Sequence, residues 1–353
     1  MASMNLDEGV NRRMSSMVIT KRDHPFITAG NFHSHFNLLE VIGRGSNSIV
    51  KKCVERRTDK VFAVKVIALS DLPVIREEDG LSASEQVENE IDILQSVKGY
   101  PYIAEIHKAF RDSDRYYLVF KWYPRGDLFE VVSNTVYMSE RRIKRYFHQV
   151  LRAIRFCHSK RIIHRDIKLE NILLDNKDNV RLTDFGLSRR LNPGEQFFEL
   201  CGTDTYFAPE AIYVKFISRS KVKGYKGEVD VWACGVLLYS MIYKKPPFTH
   251  PDRHGMLQNI LRGRFAFEER KFAPVSPLLK HLIRRCLTVQ PKLRIRLNEA
   301  MEHPAFVFNA KRRFRIAVWS VIFAKSLQRN YEESSTPPIR KAYSECLCLD
   351  DLC

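Results

Sequence analysis

Four side chains between Arg161 and Gly186 have the types and spacing to do one kind of chemistry. Asp166, Lys168 and Asn171 precede a short apolar run, Ile172 to Leu174, and Asp184 follows a second, Val180 to Leu182. The polar stretch Asp175 to Asn179 between the two runs predicts a β-hairpin. Such a hairpin gathers two carboxylates, one amide and one ammonium at one end of a rigid unit. Carboxylate and amide oxygens suit Mg²⁺, a hard ion that takes substrate phosphates as further ligands. A lysine beside them suits a developing negative charge. His-Arg-Asp alone, or Asp-Phe-Gly alone, is weak, because a solvated loop with a charged hairpin reads the same way. Both in register, with further motifs in order around them, leave chance little room.

The elements that must position these residues are visible on both sides. Phe36 to Val50 is a strand that enters Gly43-x-Gly45-x-x-Ser48 and leaves as a second strand. Glycines there let the backbone approach phosphates without a Cβ in the way, although a plain β-turn competes for the same residues. Val61 to Ile67 is β-prone, and alternation puts Ala63, Lys65 and Ile67 on one face. An ammonium on a half-buried face needs an anion. Ser82 and Glu85 fit a capping box opening a helix. Val87, Ile91 and Leu94 form its apolar stripe, with Glu90 among them on the buried face, where a carboxylate needs a partner. Tyr116 to Phe120 is an apolar strand broken by Lys121-Trp-Tyr-Pro124, and Asp127 opens the next helix, where the helix dipole alone favours a carboxylate. Ser139 to His158 predicts an amphipathic helix with Ile143, Phe147, Val150, Leu151, Ile154 and Cys157 on one face. Asp230 starts a second helix and is expected to accept from the backbone around Asp166, and Arg294 is expected to pair with Glu210.

Composition sets the frame. The chain has 353 residues, 44% of them apolar, enough for a sizeable core and two lobes or domains. The longest apolar run, Val231 to Tyr243, is interrupted and too short to span a membrane, and Met1 to Arg13 lacks an apolar signal core. Eight cysteines without metal-ligand spacing point to reduced thiols and a cytoplasmic protein. A net charge of +17 predicts acidic partners. No nucleic-acid module appears, so nucleic acid is not the expected partner.

With these motifs in place, residues 34–308 are identified as a member of the protein kinase family: an α+β, bilobal fold with a small β-rich N-lobe (34–120), a hinge (121–123) and a larger helical C-lobe (124–308). The chain is similar in particular to the calcium/calmodulin-dependent group and, within it, to phosphorylase kinase catalytic (gamma) subunits. Gly43-Arg-Gly-Ser-Asn-Ser-Ile-Val, Glu90-Ile-Asp-Ile-Leu, Asn192-Pro-Gly-Glu, Glu199-Leu-Cys-Gly-Thr and Gly224-Tyr-Lys-Gly-Glu-Val-Asp carry that likeness. The resemblance implies transfer of the ATP γ-phosphate to serine in glycogen phosphorylase. It assigns catalysis to Asp166, Lys168, Asn171, Asp184, Lys65 and Glu90, with Mg²⁺ held by Asn171 and Asp184. It assigns ATP contacts to Ile42, Gly43, Arg44, Gly45, Ser46, Asn47, Ser48, Val50, Ala63, Lys65, Phe120, Tyr123, Asp127, Leu173 and Asp184. Substrate contacts fall to Glu170, Glu199, Asp127 and Thr203. Leu169 stands where the family usually has proline and Asp127 where it has glutamate, one methylene longer.

The same resemblance gives Glu199 a second reading. It occupies the region where many kinases carry an activating phosphate that satisfies the arginine beside the catalytic aspartate, here Arg165. A permanent carboxylate supplies part of that charge, so this loop is expected to need no phosphorylation. Residues 309–353 read as a regulatory tail, and 310–331 is a basic amphipathic helix with six cations and no acid. Its anchors Phe314, Val318, Trp319, Val321 and Leu327 fit calmodulin, with a lipid surface or a helix packed on the large lobe as competing readings. Regulatory subunits of a hetero-oligomer are the further partners implied. Residues 1–33 are expected to be a mobile extension. The alternatives are another calcium/calmodulin-dependent-type serine/threonine kinase with a different substrate, and an inactive kinase-fold scaffold, against which every residue needed for transfer is present.

Overall fold

A computed structural model describes residues 24–28, 30–45, 47–72, 81–216, 223–268 and 274–306. The N-terminal half begins with α1 (Phe32–His35), β1 (Phe36–Gly45), β2 (Ser48–Glu55), β3 (Val61–Ala68), α2 (Ala83–Ser96), β4 (Ile106–Arg111) and β5 (Arg115–Lys121). The five strands form one antiparallel sheet in the order β1-β2-β3-β5-β4. Consecutive hairpins build its first three strands, and α2 is the long excursion that lets β4 and β5 come in from the other side.

Helix α2 has the capping box expected of it: the Ser82 hydroxyl accepts from Glu85 N–H, and the Glu85 carboxylate accepts from Ser82 N–H at 3.0 Å. Its stripe of Val87, Ile91 and Leu94 is buried and joins the same core cluster as the C-lobe. A second, smaller cluster of Phe36, Phe62, Val64, Phe110, Tyr117 and Val119 fills the opposite face of the sheet, and Phe32 belongs to it. Residues 24–28 and 30–33 therefore correct the expectation of a mobile extension: Thr28 N–H donates to Ala109 O at 2.8 Å, and the Phe32 ring stacks on Tyr117 at 4.6 Å. The physical reason is the apolar content of Phe26, Ile27 and Phe32, which the core accepts. The rest of the extension, 1–23, lies outside the described residues, as do Ser46 and the whole tail with its calmodulin-type segment 310–331.

The C-terminal half comprises α3 (Leu128–Asn134), α4 (Glu140–Ser159), β6 (Ile162–Ile163), β7 (Ile172–Leu174), β8 (Val180–Leu182), β9 (Arg189–Arg190), α5 (Pro209–Phe216), α6 (Glu228–Tyr243), α7 (Arg253–Arg262), α8 (Pro277–Cys286) and α9 (Leu297–Met301). The α4 face named above is buried throughout. Helix α6 is buried along nearly its whole length, which explains its unbroken apolar run, and no described helix is long and apolar enough to cross a membrane. Strands β7 and β8 pair as the expected hairpin, with Ile172 opposite Leu182.

Candidate active site

The hairpin and the sheet bring two charged groups face to face. On the sheet side, register places Val50 opposite Lys65 on β2–β3, Gly43 opposite Val50 on β1–β2, and Ala63 opposite Phe120 on β3–β5. The Lys65 Nζ donates to Glu90 Oε1 at 2.8 Å and Oε2 at 3.1 Å, and to Asp184 Oδ1 at 2.8 Å. Burial works against the Lys65 charge, but the Asp184 and Glu90 carboxylates outweigh it and hold the ammonium above its ordinary value. The Lys65 ammonium in turn lowers the Asp184 carboxyl to about 2. Asp184 sits at φ +61°, a left-handed conformation costly for an aspartate and set by the turn after β8.

On the catalytic-loop side, Asp166 is a hub. Its Oδ1 accepts from the Thr203 hydroxyl at 3.1 Å, and its Oδ2 takes Asn171 Nδ2 at 3.0 Å and Lys168 Nζ at 2.7 Å. Lys168 also donates to Thr203 Oγ1 at 3.0 Å. Asn171 Nδ2 makes a further bond to the Asp166 carbonyl at 2.8 Å, which leaves the Asn171 amide oxygen without a partner among the described residues. Asp184 Oδ2 is likewise uncommitted there. An amide oxygen and a carboxylate oxygen are suitable donors for a hard divalent ion. That pattern fits Mg²⁺, which completes its shell with phosphates and water more readily than an ion needing an all-protein cage.

The loop itself is hung from α6. Asp230, fully buried, accepts from His164 N–H at 2.9 Å and Arg165 N–H at 2.9 Å, with His158 Nε2 at 2.7 Å from the same carboxylate. Burial would raise that carboxyl, yet the His158 bond and the backbone donors keep it below its ordinary value. Arg165, at φ +68°, points into the segment after Asp184: its Nη1 donates to Glu199 Oε1 at 2.8 Å and its Nε to Leu187 O at 2.7 Å.

Comparison with known proteins decides the family. The protein kinase domain matches residues 36–306. The chain belongs to the protein kinase family. The chain is 37% identical over 305 residues to the human phosphorylase b kinase gamma catalytic chain, liver/testis isoform, covering 84% of this chain and 74% of that protein. The rat counterpart is 36% identical over 309 residues, covering 84% and 74%. Calcium/calmodulin-dependent protein kinase type II alpha chain of Drosophila melanogaster is 33% identical over 277 residues, covering 77% of this chain and 49% of that one. The kinase is thus of serine/threonine type, and a protein kinase domain uses ATP.

Other residues expected at the kinase's site fall as follows. Gly43, Arg44, Gly45, Asn47 and Ser48 form the tip of the β1–β2 hairpin, with Ile42 exposed on its edge. Phe120 is half-buried against the core at the hinge. The Tyr123 ring turns inward, its hydroxyl accepting from Glu105 N–H at 3.0 Å, so only main chain remains available to a nucleotide there. Asp127 pairs with Leu173 in an isolated bridge and caps α3 through Glu130 N–H at 2.8 Å, which commits one of its two carboxylate oxygens. Glu170 is exposed in the turn before Asn171. Glu199 corrects the expectation of a free substrate contact: Oε1 is shared by Arg165 and Arg189, and Oε2 accepts from Phe198 N–H at 2.8 Å. A substrate arginine would have to displace one of these.

Several supporting residues have no local signature in sequence. The Phe197 ring lies under the Arg165 guanidinium at 4.8 Å, and Tyr225 donates to the Glu199 carbonyl at 2.6 Å. Gly202, at φ +106°, passes so close to the loop that a Cβ would lie 2.7 Å from Arg165 O. Only the motif Cys-Gly-Thr hints at the last.

Proposed function

We propose that this kinase transfers the γ-phosphoryl group of ATP to a serine hydroxyl of glycogen phosphorylase, and that calmodulin couples the reaction to calcium. The observation that carries the reading is the pair of facing groups, Asp166–Lys168–Asn171–Thr203 and Lys65–Glu90–Asp184. Asp166, steadied by Asn171 and Thr203, orients the serine hydroxyl and takes its proton as the oxygen attacks phosphorus. The new O–P bond forms as the bond to the β-phosphate oxygen breaks, and ADP departs with that electron pair. Lys168, held beside Asp166 Oδ2 at 2.7 Å, offsets the charge on the transferring group. Lys65, fixed by Glu90, holds the ATP phosphates. Asn171 and Asp184 hold Mg²⁺, which when bound neutralises phosphate charge.

Glu199 supports a further part of the proposal: the loop is held in place without a phosphate. Glu170 is the remaining free carboxylate for a substrate arginine, and Asp127 offers one oxygen to ribose or substrate. Calmodulin, regulatory subunits and a cytoplasmic location follow the phosphorylase kinase likeness. The narrow gap in identity between the two groups of relatives favours one alternative, a calmodulin-dependent-type kinase with another substrate. The deciding experiment compares phosphorylase b with an arginine-rich peptide, with and without calcium and calmodulin. Preference for phosphorylase b and calcium stimulation support the proposal; equal, calcium-independent turnover of both overturns the substrate and coupling.

A further inference from the structure

Behind the catalytic loop lies an open groove of about 1150 Å³, between the end of α4, the start of α6 and the stretch leading into α9. Its floor is apolar, from Phe156, Leu191, Ile295 and Leu297, and its rim carries Arg155, Arg161, Lys292 and Arg296. All four cations are exposed, and none is ion-paired among the described residues. Glu228 is the lone carboxylate among the described lining residues. Arg161 holds its place at φ +61°, a conformation that disfavours any side chain but is tied by its carbonyl to Leu191 N–H at 2.8 Å. Unpaired cations around an apolar floor fit a short segment that carries both acids and leucines and no cation.

This chain contains such a segment. Residues 345–353, Glu-Cys-Leu-Cys-Leu-Asp-Asp-Leu-Cys, carry three acids, three leucines and no cation, in a protein of net charge +17. Its acids stand at or near the two ends, Glu345 and Asp350–Asp351, and flank Leu347 and Leu349. The tether also fits: α9 lines the groove and leads within a few residues to Phe306. The 38 residues between Phe306 and Glu345 can reach at most roughly 130 Å, ample to bring the segment to the groove.

We propose that residues 345–353 dock in this groove of their own chain, acids on the rim cations and leucines on the floor. The groove also touches His158 and Ile163, so the docked segment lies on the reverse side of the elements that hang the catalytic loop on Asp230. The inference is independent of which protein the kinase phosphorylates.

The test uses the full chain. Zero-length carbodiimide coupling should join Lys292 to Asp350 or Asp351 within one molecule, and raising salt should suppress it as the Debye length falls from about 10 Å to about 3 Å. Hydrogen exchange at 155–161 and 291–298 should speed up about tenfold on Glu345→Gln with Asp350→Asn and Asp351→Asn. Lys292→Asp with Arg296→Asp should do the same, and adding Asp350→Lys with Asp351→Lys should restore protection. Unchanged melting temperature and peptide turnover in each variant exclude misfolding. No intramolecular cross-link, or protection indifferent to the tail charges, overturns the proposal. Cross-linking only between molecules, with concentration-dependent dimers in sedimentation, overturns it in favour of a second copy.

Discussion

Two cation–carboxylate pairs stand on either side of the catalytic loop and are built differently. At the sheet, the Asp184 side chain is 44% exposed and Lys65 14%, and Asp184 keeps an oxygen uncommitted. Behind the loop, Arg165 is 2% exposed and Glu199 5%, enclosed by Phe197, Arg189 and Tyr225. The first pair is open to solvent and can exchange its partner for a ligand. The second is sealed, and its energy goes into holding the segment after Asp184 against the loop. Burial pushes the Glu199 carboxyl up, but the Arg165 guanidinium outweighs it and keeps it below its ordinary value. One ion pair is therefore suited to chemistry and the other to architecture.

Substitutions should separate the two. Arg165→Ala leaves the Glu199 charge buried with only Arg189 beside it and should destabilise the fold by ~3–5 kcal/mol in denaturant unfolding. Arg165→Met combined with Glu199→Leu should recover much of that loss, because no orphan charge remains. Asp184→Asn should lower turnover by about 10²–10³-fold while costing clearly less stability than Arg165→Ala. A large stability loss there would erase the distinction. Ser82→Ala removes the α2 cap, should cost ~1 kcal/mol, and should loosen Glu90 on Lys65 enough to raise the apparent KM for ATP.

The acid side of the stability profile sharpens the contrast further. Asp184 has its pKa depressed from 3.8 to about 2, so its contribution is present above the ordinary carboxylate value and lost as pH falls through about 2. Glu199 is depressed as well, so its contribution is also lost on acidification. Lys65→Met should flatten the Asp184 part of the profile and leave the Glu199 part intact, as read by melting temperature against pH. Phosphatase treatment should change turnover least of all, with no measurable loss.

Much of the site was legible because it lies in short, locally coded units. The hairpin after Asn171, the capping box at Ser82 and the buried position of Glu90 all follow from neighbours within a few residues. Asp230 reaching the loop backbone and Arg294 pairing with Glu210 at 2.6 Å also came out as expected, since a buried charge demands a partner and few were on offer. The packing of Phe32 onto the sheet was not legible, because an isolated aromatic near a chain end has no periodicity to betray its burial.

By itself the amino-acid order determined which residues carry charge, which elements they ride on and which family the chain joins, because periodicity and capping are local. Tertiary structure alone decided how the carboxylates are shared out. Only the fold shows that Glu199 is consumed by Arg165 and Arg189, that Tyr123 turns its ring inward, and that four cations gather unpaired around a groove. Those outcomes depend on contacts between residues from ten to more than a hundred positions apart, where spacing along the chain carries little information about distance in space.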